Sequence, residues 1–242
     1  MRERSMARLA IVMTHYRMPE HRLIDWIVWN SSAIESVGSD VWCVSDVPRA
    51  GLPPWLRMLI YPLPMDIFSL SCTSNFGIRS AIDSGAEIVA KTDPDCILSP
   101  ELVADMAALT PGHGLCPVYR MAAAATPEAM AASKPWLASK GTLALLSSHW
   151  EAIQGYDERQ SGYGIEDGDA FCRAAAMPSQ VLSRGERPIY HVAHSVASQS
   201  AGNSRGDCWG RASGFNPRNH RPNMACRRTR WSCADWGRAI AT

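Results

Sequence analysis

The chain has no run of the roughly 18 apolar residues that a membrane-spanning helix needs. The apolar stretch after its charged start, Leu9 to Met13, is too short for a signal peptide. These two absences predict a soluble, cytoplasmic protein. Closely paired cysteines are missing as well. The eight cysteines stand singly at 43, 72, 96, 116, 172, 208, 226 and 233, several of them inside expected strands or helices, which is the pattern of reduced, mostly buried thiols. Cys208, Cys226 and Cys233 with His220 lack the Cys-x-x-Cys pairing of the usual zinc folds. Net charge is nearly absent at +1, yet from Ser195 onward eight arginines face two aspartates, or +6 in 48 residues. A tail of that kind favours a polyanion.

With 242 residues, 46% of them hydrophobic, the chain can bury one substantial core. Leu9 to Met13 reads as a buried first strand. Arg22 to Val37 has apolar residues at helical spacing and stops at Gly38, and Asp40 to Asp46 reads as a second strand, completing a βαβ start. Further strands are expected near Met58 to Tyr61, over Ala86 to Asp95, Gly112 to Tyr119 and Gly141 to Ser147, and at Pro188 to Ser195. Helices are expected at Ser74 to Gly85, Pro100 to Leu109, Trp150 to Gly155 and Glu166 to Met177. Met121 to Ala132, rich in alanine, reads as helical or mobile. This alternation predicts an α/β fold.

Chemistry concentrates in three places. Ser161-Gly162-Tyr163-Gly164-Ile165-Glu166-Asp167-Gly168-Asp169 packs glycines, an aromatic and three carboxylates into nine residues at a helix start, where the helix dipole suits acids. Asp93-Pro94-Asp95 ends a strand, and its two carboxylates, one residue apart, point to the same side of an extended chain. A hard divalent cation takes such oxygen ligands. His191 and His194, three apart, converge on one ion if the backbone turns between them. Asp46 ends the second strand, where open α/β sheets gather ligands. Lys91 lies on a strand expected to be covered on both faces, and burying an ammonium without a partner is expensive.

Together these motifs, with Gln154-Gly155-Tyr156-Asp157-Glu158, resemble the metal-dependent glycosyltransferases of the GT-A fold, above all the C-terminal region of the β-1,4-galactosyltransferases and related bacterial and phage enzymes. The resemblance runs from Leu9 to Ser195, with Gln154 in place of the first glycine of a Gly-Gly-x-Asp-Glu turn. It implies a GT-A, Rossmann-like α/β domain with a mixed central sheet over residues 1–195, followed by a basic extension over 196–242. The implied reaction is inverting transfer of a hexose from a UDP-sugar to an acceptor hydroxyl, with Mn²⁺ or Mg²⁺ as cofactor. In that scheme Asp167 is the catalytic base and Glu166 orients acceptor or donor sugar. Asp95, His191 and His194 hold the metal, His191 replacing a family methionine. Arg17, Asp46, Asn75, Lys91 and Asp93 meet the donor, and Tyr163, Gly164 and Trp150 face sugar or acceptor. Lys91 replaces an apolar family residue and is expected either to pair with Asp93 or to reach the donor phosphates.

Trp209, Trp231 and Trp236 lie among the tail arginines, a combination that stacks bases and holds phosphates. The acceptor is accordingly expected to be either a glycan or a hydroxymethylated pyrimidine in DNA. The alternative is a non-catalytic nucleic-acid-binding protein that has kept a degenerate transferase shell.

Overall fold

A computed structural model describes residues 8–63, 69–136, 140–160, 166–177, 181–183, 185–193, 233 and 235–238. Strand β1 (Leu9–His15) lies at the centre because all seven of its residues are buried, as an apolar strand covered on both faces must be. Helix α1 (Glu20–Val37) follows and ends at Gly38, whose φ of 64° is the left-handed cap that glycine adopts without strain. The chain returns as β2 (Asp40–Ser45), parallel to β1, and then as β3 (Leu56–Ile60) at the edge. After α2 (Leu70–Asp83), β4 (Ile88–Thr92) pairs parallel with β1 on its other side.

Beyond β4 the topology changes direction. Short β5 (Cys96–Ile97) is followed by α3 (Pro100–Ala107), β6 (His113–Leu115), β7 (Tyr119–Ala122), α4 (Pro127–Ala131) and β8 (Lys134–Trp136). Then come β9 (Leu143–Leu146), α5 (Ser147–Ile153), α6 (Glu166–Ala175), β10 (Val181–Ser183) and β11 (Ile189–Val192). Strand β9 runs antiparallel to β4 and β6, so the seven-stranded sheet, in the order β10-β6-β9-β4-β1-β2-β3, is mixed. A second sheet, β5-β11-β7-β8, sits beside it.

Alternation along β1 divides the core. Leu9, Ile11 and Met13 face one apolar cluster with Trp26 and Ile34 of α1 and Leu102 and Met106 of α3. Ala10 and Val12 face the other, with Ile78 of α2, Trp150 of α5 and Ala170 of α6. Helix α2 lies so close to the sheet that a Cβ on Gly77 would meet Val12 Cγ1 at 2.5 Å and Val44 Cγ2 at 2.9 Å.

Three expectations need correcting. The single strand over Gly112 to Tyr119 is two strands in different sheets, because the chain leaves the main sheet after Leu115. Met121 to Ala132 is mostly not helix: Met121 and Ala122 belong to β7, and α4 is one short helix capped by the Thr126 hydroxyl. Nor does the core stop at residue 195. Trp236 is 2% exposed within the cluster of α2, α5 and α6, with the Arg79 guanidinium 5.0 Å from its ring centroid. Two backbone bonds seat it, Cys233 N–H to Gln154 Oε1 at 2.6 Å and Gly237 N–H to Glu158 Oε1 at 2.7 Å.

Replacing Trp236 with Ala should cost about 3–5 kcal/mol, the usual penalty for emptying a large aromatic site. Gly77→Ala should cost about 1–3 kcal/mol by overpacking against two stiff valines. Urea unfolding monitored by circular dichroism checks both.

Candidate functional site

The site forms where β4 ends. Asp95 lies just before β5, and β5 pairs antiparallel with β11 so that Cys96 stands opposite His191. That register brings the His191 imidazole onto the Asp95 carboxylate, Nε2 to Oδ2 at 3.3 Å, and Val192 N–H donates to the Asp95 carbonyl at 2.9 Å. Burial works against a charged His191, but the Asp95 charge and hydrogen bond outweigh it and raise its pKa. Asn30, fully buried on α1, fixes the same segment: its amide donates to the Cys96 carbonyl and accepts from Leu98 N–H at 2.7 Å.

Donor atoms of Asp93, Asp95 and Cys96 lie within 4.8 Å of one another. Burial pushes the Cys96 thiol well above its ordinary range, so it stays protonated and is a poor ligand. The remaining donors, two carboxylates with the imidazole beside them, suit a hard to borderline divalent cation such as Mn²⁺ or Mg²⁺. His194 lies outside the described residues, as do Tyr163 and Gly164.

Lys91 resolves the puzzle of its position. On β4 it stands between Val12 of β1 and Leu143 of β9, and its side chain is 1% exposed. Its ammonium reaches Asp93 Oδ1 at 2.6 Å and Asp167 Oδ1, in the first turn of α6, at 3.2 Å. Burial alone would lower its pKa, but the charges of Asp167 and Asp93 hold it well above the ordinary value. Desolvation pushes Asp93 up to about 6 against the pull of Lys91, with Asp167 and Asp95 adding to the rise. Removing one member of such a buried set typically costs about 3–5 kcal/mol, because it strands the others. Glu166, next to Asp167, is buried.

Arg17 and Asp46 meet at the ends of β1 and β2, the Arg17 N–H donating to Asp46 Oδ1 at 3.1 Å from a backbone with φ of 52°. The strands thus bring together two of the residues expected at the donor. Asn75 and Trp150 are placed differently. The Asn75 side chain is fully buried and holds the Gly155 turn, bonding the Tyr156 carbonyl and N–H and Glu158 Oε1. Trp150 is a core residue whose indole N–H donates to the Val89 carbonyl at 2.9 Å. Neither presents a side chain to a ligand in this conformation.

Thr92, Tyr119, Gly141 and Thr142 gave no sequence signal of a role at the site. Thr92, Thr142 and Tyr119 form a buried hydroxyl chain, 3.0 and 2.8 Å, close to the turn. Gly141 gives Asp93 its space, since a Cβ there would collide with Asp93 Oδ2 and lie 2.9 Å from the Tyr119 hydroxyl. Trp136 on β8, 37% exposed, packs edge-on against His191 with ring centroids 5.4 Å apart.

No protein-family model matches the chain, and no curated protein matches it. Solved structures do. A mutant of Drosophila β1,4-galactosyltransferase 7 in complex with manganese, UDP-Gal and xylobiose superposes with a TM-score of 0.56 at 15% identity, over 93% of this chain and 81% of that one. The mannosyltransferase PcManGT from Pyrobaculum calidifontis, in complex with GDP-Man and Mn²⁺, gives 0.55 at 11% identity over 82% and 61%. GalNAc-T7 with UDP, GalNAc and Mn²⁺ gives 0.54 at 9% over 79% and 45%. The chain has the GT-A glycosyltransferase fold. In this GT-A chain the Asp-x-Asp turn stands at the end of the fourth strand of the main sheet, and the segment that follows it is held by Asn30.

Gly141→Ala should displace the Asp93 carboxylate. The expected outcome is a weaker thermal stabilisation by UDP with MnCl₂ than the parent shows, read by differential scanning fluorimetry with and without the two ligands.

Proposed function

We propose that this chain is a metal-dependent, inverting glycosyltransferase that moves a hexose from a UDP-sugar to an acceptor hydroxyl. One observation carries the reading: a single buried ammonium touches both Asp93 of the Asp-x-Asp turn and Asp167 of α6, so an acid suited to proton removal and the acids suited to a cation share one cleft. The GT-A neighbours held with manganese or Mn²⁺ and nucleotide sugars, UDP-Gal or GDP-Man, support it.

Asp95 and His191, with His194, would hold Mn²⁺ or Mg²⁺, which supplies charge neutralisation for a departing diphosphate. Asp93, beside them, faces the ribose side of the donor. Arg17 and Asp46, joined at the ends of the first two strands, form the floor for the nucleotide. Asp167 takes the proton from the acceptor hydroxyl as that oxygen attacks the anomeric carbon from the side opposite the leaving group, which inverts the configuration. Glu166 orients the sugar, and the half-exposed Trp136 indole offers a ring face at the rim on the His191 side. Tyr163 and Gly164 belong to the acceptor side by their place just before α6.

The acceptor is a hydroxyl of a glycan or of a hydroxymethylated DNA base, and the arginine-rich 196–242 segment supports the second. A non-catalytic nucleic-acid-binding role is the competing reading, and it rests on that segment alone.

A panel of nucleotide sugars incubated with Mn²⁺ should reveal slow hydrolysis of one UDP-hexose without acceptor, abolished by EDTA and by Asp95→Ala but retained in Arg227→Ala/Arg228→Ala. With acceptor present, Asp167→Asn should lower kcat by about 10²–10⁴-fold, the usual contribution of a positioned base. If no nucleotide sugar is turned over while hydroxymethylated DNA binds with steep salt dependence, the non-catalytic reading wins.

A further inference from the structure

We propose that Lys91 is a positioning residue that fixes the Asp167 carboxylate for the acceptor, working through an internal ion pair and making no contact with the donor. The inference rests on the transferase reading above and goes beyond it by assigning a task to a residue that a donor-phosphate role would otherwise claim.

The surroundings of the ammonium decide between the two tasks. Its stem runs between Val12 and Leu143, both essentially unexposed. Its donors are directed to Asp93 Oδ1 and Asp167 Oδ1, and the ring of Tyr156 lies on a further side, with its centroid 6.0 Å away. A donor phosphate seeking this ammonium would have to sit against two carboxylates, a like-charge arrangement that costs more than one lysine returns. Electrostatics therefore makes Lys91 a partner of the acids.

Helix α6 needs such a partner. It packs against α5 and β10, and Arg173, held within the helix by Asp169 Oδ2 at 2.8 Å, ties it to α5 by donating to the Ile153 carbonyl at 2.5 Å. Its first turn is enclosed at Glu166 and Asp169, which are buried, and open at Gly168, where a Cβ would meet nothing within 4 Å. Among the described residues, the Lys91–Asp167 pair joins this turn to β4, the strand from which the Asp-x-Asp turn springs. It engages Oδ1 of Asp167, leaving the orientation of Oδ2 set by a carboxylate plane pinned at one oxygen. A catalytic group displaced by about 1 Å can lose about 10²-fold in rate.

The test uses the full chain, the UDP-hexose that the wild-type protein turns over, and a cycle of Lys91→Met, Asp167→Asn and the double variant. Lys91→Met should lower kcat for transfer by about 10²-fold. Any change in donor KM or in the affinity for UDP with Mn²⁺, read by calorimetry and transmitted through Asp93, should stay well below the change in kcat, and the variant should add no further loss of kcat in the Asp167→Asn background. An unchanged kcat, a loss carried by donor KM or UDP binding rather than by kcat, or an equal loss of kcat in the Asp167→Asn background would each overturn the proposal. Should Lys91→Met fail to fold, Lys91→Arg keeps the buried charge but changes the geometry of the bond. It should lower kcat by more than it changes donor KM, and either wild-type kcat or a loss carried by donor KM rather than by kcat overturns the proposal. A wild-type protein that turns over no nucleotide sugar defeats the transferase reading itself and takes this inference with it, an outcome visible before any variant is made.

Discussion

An ammonium buried to 1% exposure in the middle of a mixed sheet is the constraint around which the cleft is arranged. A lysine placed between Val12 and Leu143 is tolerable only if counter-charges are delivered to its end, and the fold delivers two, one close in sequence and one distant. Asp93 comes from the turn just past the same strand, two residues on, and Asp167, 76 positions after Lys91, comes from α6. Because each acid crowds the other, the lysine is equally necessary to them: without it two carboxylates would face one another in a poorly hydrated cleft, where one must take up a proton. Three charges thus fix a strand and a helix relative to each other, which hydrophobic packing alone does with less directional precision.

The same cleft shows how a mixed sheet builds a cation site. Asp95 and His191 are far apart in sequence and meet only because β5 and β11 pair antiparallel in a second, smaller sheet. Backbone pairing sets that register, and Asn30 reinforces it from α1 through bonds to Cys96 and Leu98. Close to the turn, the Thr92, Thr142 and Tyr119 hydroxyls form a chain of two hydrogen bonds, so each of the three buried groups has a partner. Gly141 completes the arrangement by having no side chain where Asp93 must sit.

The Gly155 turn joins the site to the end of the chain. Gln154 adopts φ of 57°, an uncommon conformation for a residue with a side chain, and its amide oxygen receives the Cys233 N–H. Asn75 and Glu158 meet below it, and Trp236 closes against Gly155, where a Cβ would collide with both Asn75 and Trp236. A tail that composition marks as a separate basic appendage therefore contributes a core aromatic. Composition averages over 48 residues, while packing is decided by one of them.

Several features were legible from the sequence because local physics fixes them. The buried runs of β1, β2 and β4, the periodic α1 with its glycine stop, and the acid-rich start of α6 all follow from hydrophobic period and capping, and the resemblance carried by the ordered motifs pointed to the fold that the structure shows. The sequence could also say that Lys91 needed a partner, since burial cost depends on residue type and strand pattern. It could not name Asp167 as that partner, because nothing local relates positions 91 and 167. Nor could it show that Trp150 and Asn75 are enclosed, that Gly141 clears room for Asp93, or that Trp236 belongs to the core. Those facts depend on which surfaces meet, and long-range meetings are decided only when the strands have paired and the helices have settled on the sheet.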